Sequence, residues 1–397
     1  MLPSNPNIAV FSLAYAPFEG GAEIAVREVI RRLKGLDFTI FTYRFDVDWL
    51  EREGSENAKI VRVGKGRKKK KRYGRVLDKV RYVFFAWRRA EEMHARKRFD
   101  VIWAIMASYG GIAALLFKLN HPRVPFLLTL QEGDAEAHLR FGKFGLVGIF
   151  GKWIMLRADY IQAISAYLKD FAILRGTKSR VEVIPNGVDV DLFATKYKSA
   201  ELRAMRENLG IKDEYVVIST SRLVLKNGID TLIEAISIFK QKRPNVKCVI
   251  IGDGPERKKM ELLIADRRLQ NNVILLGQIP QRDLPLYLKI ADVFVRPSRS
   301  EGLGNSFLEA MAAEVPVIGT RVGGIVDFLQ DGVTGLYVKV GDPKEVAKKI
   351  QFLIDHPEQR KKIVENAGIL VKQNYTWDKV ATLFKNIFDK LINSKQW

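Results

Sequence analysis

Apolar residues along this chain fall into short continuous runs and into longer segments where they return every three or four positions. Runs at residues 7–13, 38–43, 101–105, 126–130, 160–164 and 181–184, and again at 215–220, 246–251, 273–277, 291–295 and 315–318, predict strands. Segments such as 24–33 and 377–392 have helical spacing. Strands apolar throughout, each followed by a helix, predict parallel sheets covered on both faces, an α/β fold of the doubly wound kind. At 397 residues the chain is long for one core and suits two. The alternation restarts after a polar, charged helix near 199–209, and no fixed-period repeat lies below domain size. The expected divisions are 1–190, 191–375 and a terminal helix in 376–397.

Candidate chemistry centres on residues 296–319, RPSRSEGLGNSFLEAMAAEVPVIG. A strand ends in a glycine-bearing loop, and a helix starts near Asn305, where Asn305 or Ser306 can cap it. Gly302 and Gly304 let a ligand approach the amides of Gly302, Leu303, Gly304 and Asn305, which with the helix dipole favour phosphate. Glu301, before the helix, and Glu309, a turn inside it, can accept hydrogen bonds from sugar hydroxyls on either side of that phosphate. The pattern suggests a sugar–phosphate–ribose ligand, although the spacing of the two carboxylates alone equally describes a solvated loop residue and an exposed helix residue.

Other strand ends carry further candidates. Gly20 and Gly21 stand between the first strand and the first helix, without the G-x-G-x-x-G of a nicotinamide dinucleotide site. Gln131 opens the string QEGDAEAH at the end of the 126–130 strand, and His138 closes it. Arg222, whose guanidinium can hold phosphate oxygens bidentately, and Lys226, on its flexible stem, follow the 215–220 strand. Gly252 and Gly254 in GDGPER permit close backbone approach near a nucleotide base, and no G-K-[ST] follows to make a Walker loop. Asp46 with Asp48 and Asp189 with Asp191 form D-x-D pairs, a spacing too common to predict a metal site by itself.

Composition narrows the setting. The single cysteine, Cys248, sits in an apolar run, so no disulfide framework exists and a reducing, cytoplasmic compartment is expected. The first residues lack a basic n-region and read as a strand, not a signal peptide, and the longest uncharged stretch, 101–117, is short for a membrane span. Net charge is +21, and residues 64–98 hold 15 Lys/Arg against three Asp/Glu. Within them Lys68, Lys69, Lys70 and Lys71 form a basic run, and Val80, Val83, Phe84 and Trp87 follow at helical spacing. Residues 68–98 therefore suit an anionic membrane surface, or else a solvated loop before a core-facing helix. Nucleic acid is not expected, because no helix-turn-helix, zinc-finger or RNP-type pattern accompanies the charge.

The 296–319 stretch, the GGAE loop, IPNGVDVDLF at 184–193 and the frame around Arg222 resemble the retaining glycosyltransferases of the GT-B fold, family 4, or glycosyl transferases group 1. The resemblance runs over nearly the whole chain, strongest at 222–335 and weakest at 54–98. It implies two Rossmann-like domains facing a cleft, the first binding an acceptor and the second a nucleotide diphosphate sugar, with the terminal helix crossing back to the first. It implies transfer with retained anomeric configuration, no metal and no cofactor beyond the sugar donor, to a hydroxyl of a glycan or lipid-linked acceptor. Arg222, Lys226, Glu301 and Gln131 would be catalytic; Gly20, Gly21, Gly252, Gly254, Gly302, Leu303, Gly304, Asn305 and Glu309 would bind the donor. The chain departs from the family in having Gln131 where many members have histidine, Asn227 where they have lysine, and Glu314 where they have a helix-ending glycine. Two other readings stay open: an epimerase of the same fold, which would need no acceptor, and a non-catalytic nucleotide-sugar-binding protein at a membrane. Product analysis separates all three.

Overall fold

The computed structural model describes residues 5–17, 20–55, 57–66, 76–133 and 146–393. His138 and the run from Lys68 to Lys71 lie outside the described residues. Contacts divide the chain into two units: Met1–Asn186 with Trp377–Trp397, and Gly187–Thr376.

The first unit holds β1 (Asn7–Phe11), β2 (Asp37–Tyr43), β3 (Arg52–Ser55), β4 (Ala58–Val63), β5 (Val101–Ile105), β6 (Phe126–Leu130), β7 (Tyr160–Ala163) and β8 (Arg180–Val183). They form one sheet in the order β3-β4-β2-β1-β5-β6-β7-β8. All neighbours are parallel except β3, which runs antiparallel to β4 at the edge. Neither β3 nor β4 has a counterpart in the apolar pattern, because β3 reads REGS and β4 mixes Lys59 and Arg62 with its apolar residues.

Side-chain alternation divides β2 between two cores. Phe38 packs on Trp103 and Phe388, with ring centroids 6.3 and 5.9 Å away, while Phe41 packs on Phe11 and Phe99 across the sheet at 5.2 and 6.0 Å. The first face is covered by the helices Gly21–Arg32 and Trp377–Asn393, so the terminal helix returns to the first unit. Its buried stripe, Trp377, Val380, Ala381, Phe384, Ile387, Phe388 and Leu391, keeps helical spacing throughout.

The helix Val76–His94 bears on the two readings of its apolar stripe, and it does not turn that stripe to the core. Its buried residues are Asp78, Tyr82, Ala86 and Ala90, and Val80 and Phe84 point outward. Val80 and Phe84 of the stripe are exposed and Val83 and Trp87 half-buried, while the inward side carries Asp78, Ala86, Ala90 and Tyr82, which donates a hydrogen bond to the Phe41 carbonyl at 3.2 Å.

The second unit holds β9 (Tyr215–Thr220), β10 (Val246–Ile251), β11 (Val273–Gly277), β12 (Val293–Arg296), β13 (Val317–Thr320) and β14 (Leu336–Val338), all parallel, in the order β11-β10-β9-β12-β13-β14. Its core joins the helices Ile229–Lys242 and Pro343–Asp355 to one face of this sheet. Among the described residues no helix is long and apolar enough to cross a membrane.

Each sheet reverses direction once. The chain steps outward from β1 and returns to β5 on the other side of it, and it steps outward from β9 and returns to β12. Loops leaving the carboxyl ends of the two strands at such a reversal diverge and leave a crevice, which is where doubly wound sheets take their ligands.

Candidate active site

In the second unit the reversal lies between β9 and β12, and the loops that follow these strands are locked together. The Arg299 guanidinium forks onto the Asp230 carboxylate with both N–H···O distances at 2.8 Å, and it also donates to the Leu225 carbonyl at 2.7 Å. Burial alone would raise the Asp230 pKa, but pairing with Arg299 holds this carboxyl below its usual range. The Arg299 amide donates to the Lys226 carbonyl at 2.6 Å. Gly228, at φ 69°, lies against the Pro297 carbonyl, where an added Cβ would sit 2.0 Å from the oxygen.

The same crowding explains two glycines expected to approach a base. A Cβ on Gly252 would lie 1.9 Å from the Ser221 carbonyl oxygen, and one on Gly254 would lie 2.3 Å from that of Leu223. Both glycines let the loop after β10 pack on the loop that carries Arg222. Arg222 is exposed and Lys226 half-buried on this loop. Asn227 is buried, and its side-chain amide donates to the Arg222 carbonyl at 2.7 Å. Asn227 thus braces the loop that carries Arg222.

The helix Asn305–Ala312 starts at Gly304, which takes φ 105° and makes no side-chain cap. Neither Asn305 nor Ser306 caps it, contrary to expectation. Asn305 is the first helical residue, and the Ser306 hydroxyl accepts from Arg296 at 2.7 Å. Ser306 is thus taken up by Arg296, a buried arginine at the end of β12 that gathers nearby acceptors. It ion-pairs with Glu301, donates to the Ser298 hydroxyl at 3.1 Å, and lies over the Phe307 ring at 5.1 Å. Glu301 also accepts from the Gly302 amide at 3.1 Å. Gly302, Leu303 and Gly304 are buried between these partners.

Glu309 lies on the same helix, its carboxylate accepting from the Gln281 side chain at 3.1 Å. Burial pushes this carboxyl up to about 7, against the hydrogen bond from Gln281 and the charge of Arg296. Burial likewise pulls Arg296 down to about 10, with Glu309 acting in the opposite sense, so it stays a cation at neutral pH. One buried cation thus serves two carboxylates. Arg296 and Gln281 escaped the sequence reading, though an arginine closing the apolar run VFVR was a signal, since a buried charge demands partners.

The other predicted residues are in the first unit, at the carboxyl edge of its sheet. Gly20 is the N-cap of the helix Gly21–Arg32, tight against the Glu23 carboxylate, whereas a Cβ on Gly21 would meet open space. Gln131 follows β6 and exchanges hydrogen bonds with the Asn186 amide at 3.2 and 3.4 Å. The D-x-D pairs have local roles: Asp189 caps the turn Val190–Phe193 by accepting from the Leu192 amide, and Asp46 accepts from the Asp48 amide, each at 3.1 Å.

Two parallel-sheet units, each with loops gathered at a strand-order reversal, are the architecture of the GT-B class, and the similarities to known proteins agree with it. The family model described as Glycosyl transferases group 1 matches residues 202–369, and that described as Glycosyltransferase Family 4 matches residues 19–192. The chain belongs to this family of GT-B glycosyltransferases. It is 29% identical over 378 residues to an uncharacterised glycosyltransferase of Methanocaldococcus jannaschii, covering 95% of this chain and 96% of that one. It is 34% identical over 211 residues, 51% of this chain and 54% of the other, to a GDP-mannose-dependent alpha-(1-6)-phosphatidylinositol monomannoside mannosyltransferase of Mycolicibacterium smegmatis. Sucrose-phosphate synthase from Thermosynechococcus elongatus shares the fold, with a TM-score of 0.83 at 23% identity over 98% of this chain and 100% of that one.

Proposed function

We propose that the protein moves a sugar from a nucleotide diphosphate sugar to a hydroxyl of a lipid-linked or cell-envelope glycan, with retained configuration and without a metal. The observation that carries this reading is the pairing, at one strand-order reversal, of the uncapped helix N-terminus after Gly304 with the cations Arg222 and Lys226 and the carboxylates Glu301 and Glu309. In this reading Arg222, Lys226 and the amides of Gly302 to Asn305 stabilise the charge that grows on the departing diphosphate, the work a metal does elsewhere. Glu301, held by Arg296, accepts hydroxyls of the donor sugar; Glu309 accepts ribose hydroxyls; Gly252 and Gly254 shape the loop beside the base. The acceptor hydroxyl attacks from the face that the diphosphate leaves. The anomeric carbon–phosphate oxygen bond breaks, the new glycosidic bond forms, and the hydroxyl proton passes to a phosphate oxygen. Gly20, Gly21 and Gln131 belong to the acceptor-binding unit, with Gln131 supplying a fixed amide where a histidine would titrate.

A lipid acceptor is supported by the name of the mycobacterial relative and by the basic residues 68–98, of which 76–98 are described and carry outward apolar side chains. Thermal unfolding with UDP, GDP and ADP sugars tests the donor site. A ligand at about a hundredfold over its dissociation constant stabilises the fold by about 2.7 kcal/mol. One base class should raise the midpoint, and Arg222→Ala should weaken the shift. No shift with any nucleotide, or an undiminished shift in the variant, overturns the assignment.

A further inference from the structure

We propose that the helices Val76–His94 and Leu146–Arg157 of the first unit form one docking surface for an anionic lipid bilayer, beside the carboxyl edge of that unit's sheet. The second helix carries the argument. Its inward residues Gly148, Gly151, Ile154 and Met155 are buried, yet Ile149, Phe150, Trp153 and Leu156 are exposed, Trp153 by 59%. A helix at a water-facing surface presents polar residues there. This one presents a tryptophan and aliphatics with Lys152 and Arg157, and its sequence LVGIFGKWIMLR contains no acidic residue. Ile173 and Leu174, exposed by 51% and 71%, extend the apolar area, since Arg175 beside them donates to the Gly148 carbonyl.

The first helix exposes Val76, Leu77, Val80, Phe84 and Phe85 beside Arg81, while its acidic residues are the buried Asp78 and, in the last turns, Glu91 and Glu92, the latter 3.9 Å from Arg88. Both helices pack on the first turn of the helix Tyr109–Asn120 that follows β5, or on the loop just before it. Lys79 Nζ lies 5.5 Å above the Tyr109 ring, a Cβ on Gly111 would lie 3.0 Å from Ile154, and one on Gly151 would lie 3.6 Å from the Ala107 carbonyl oxygen. The two outward apolar faces therefore lie on either side of the start of that helix, after β5, at the edge where such a sheet takes ligands. Apolar side chains ringed by Lys and Arg match a bilayer of anionic lipid, where the rings enter the interface and the cations reach the headgroups. The proposal deepens the lipid-acceptor reading and rests on it only for the use made of the bound membrane.

The full chain is sedimented with vesicles of phosphatidylcholine alone and of phosphatidylcholine mixed with phosphatidylglycerol. Wild type is expected to bind the mixed vesicles more tightly. Ile149→Glu with Trp153→Glu, and separately Leu77→Glu with Phe84→Glu, are each expected to lose about tenfold or more in binding. Nucleotide-induced thermal shifts are expected to stay at the wild-type size, which keeps a failure of the donor site distinguishable from a failure of docking. Quenching of wild-type tryptophan fluorescence by brominated lipid, reduced in Trp153→Phe, reads the contact without a destabilising change. Wild-type binding by the Ile149/Trp153 variant, equal quenching in Trp153→Phe, or no vesicle binding by wild type overturns the proposal. A dimer of wild type that the Ile149/Trp153 variant dissolves also overturns it, by giving the face to a second copy of the chain.

Discussion

Glu309→Gln tests the electrostatics of the donor site directly. The Glu309 carboxyl is raised from 4.5 to about 7 because burial disfavours its charge, with Gln281 and Arg296 offsetting part of the effect. Below pH 4.5 the group is neutral in both the folded and the unfolded chain, and its contribution to stability is fully present. As pH rises towards 7 the unfolded chain gives up the proton while the folded one retains it, so stability falls; above 7 the loss is complete. Each pH unit of displacement is worth about 1.4 kcal/mol, which sets a ceiling of about 3.5 kcal/mol. Glutamine is neutral throughout and keeps an acceptor for the Gln281 amide, so its stability relative to wild type should improve between about pH 5 and about pH 8 by up to that amount. Urea unfolding of both proteins at the two pH values measures the difference. Nucleotide affinity supplies the functional half. If ribose hydroxyls need the ionised carboxylate, wild-type affinity should rise about tenfold from about pH 6 to about pH 8, following the ionised fraction, while the variant stays weak and flat. A stability difference that does not change with pH, or an affinity profile shared by both proteins, refutes the reasoning.

Two substitutions probe the scaffold. Gly228→Ala places a Cβ against the Pro297 carbonyl at a left-handed backbone, where the conformation alone costs about 1–2 kcal/mol; a larger loss in urea stability is expected, together with weaker nucleotide binding as the Lys226–Arg299 link is pushed apart. Unchanged nucleotide binding in a folded Gly228→Ala protein would count against the locked loops as a determinant of the site. Glu314 ends its helix at φ 61° in a Schellman arrangement, Glu314 and Val315 donating to the carbonyls of Met311 and Ala310 at 3.1 and 2.9 Å. Glu314→Gly should raise the melting temperature, since relief of about 1 kcal/mol or more exceeds the worth of an exposed ion pair with Lys289. A lower melting temperature would refute that balance.

Much of the architecture could be read from the amino-acid pattern, because a strand buried on both faces must be apolar at every position. The spans of β5, β6, β9, β10 and β11 and the helix start at Asn305 coincide with that reading residue for residue. The strand–loop–helix frame of 296–319 was visible too, since β12 ends at Arg296 and the helix starts at Asn305, while the role of its carboxylates stays a proposal. The edge strand β3 was not, because it reads REGS, and neither was its inner neighbour β4, where Lys59 and the buried Arg62 interrupt the apolar run.

The sequence by itself determined which residues share an element, where apolar runs begin and end, and which strand ends carry chemistry-bearing groups. Tertiary structure decided which strands meet at a reversal, because pairing joins residues far apart in the chain, and so brought Arg222 and Lys226 beside the loop of Glu301. It decided that Arg296 lies buried between two carboxylates, that Asn227 turns inward to brace Arg222, and that Gly252 and Gly254 yield to carbonyl oxygens. It also decided which way the helix Val76–His94 faces. Periodicity groups residues onto a face, but only packing against a neighbour reveals which face is inside, and here Asp78, Tyr82, Ala86 and Ala90 turned inward and left Val80, Phe84 and Phe85 outward.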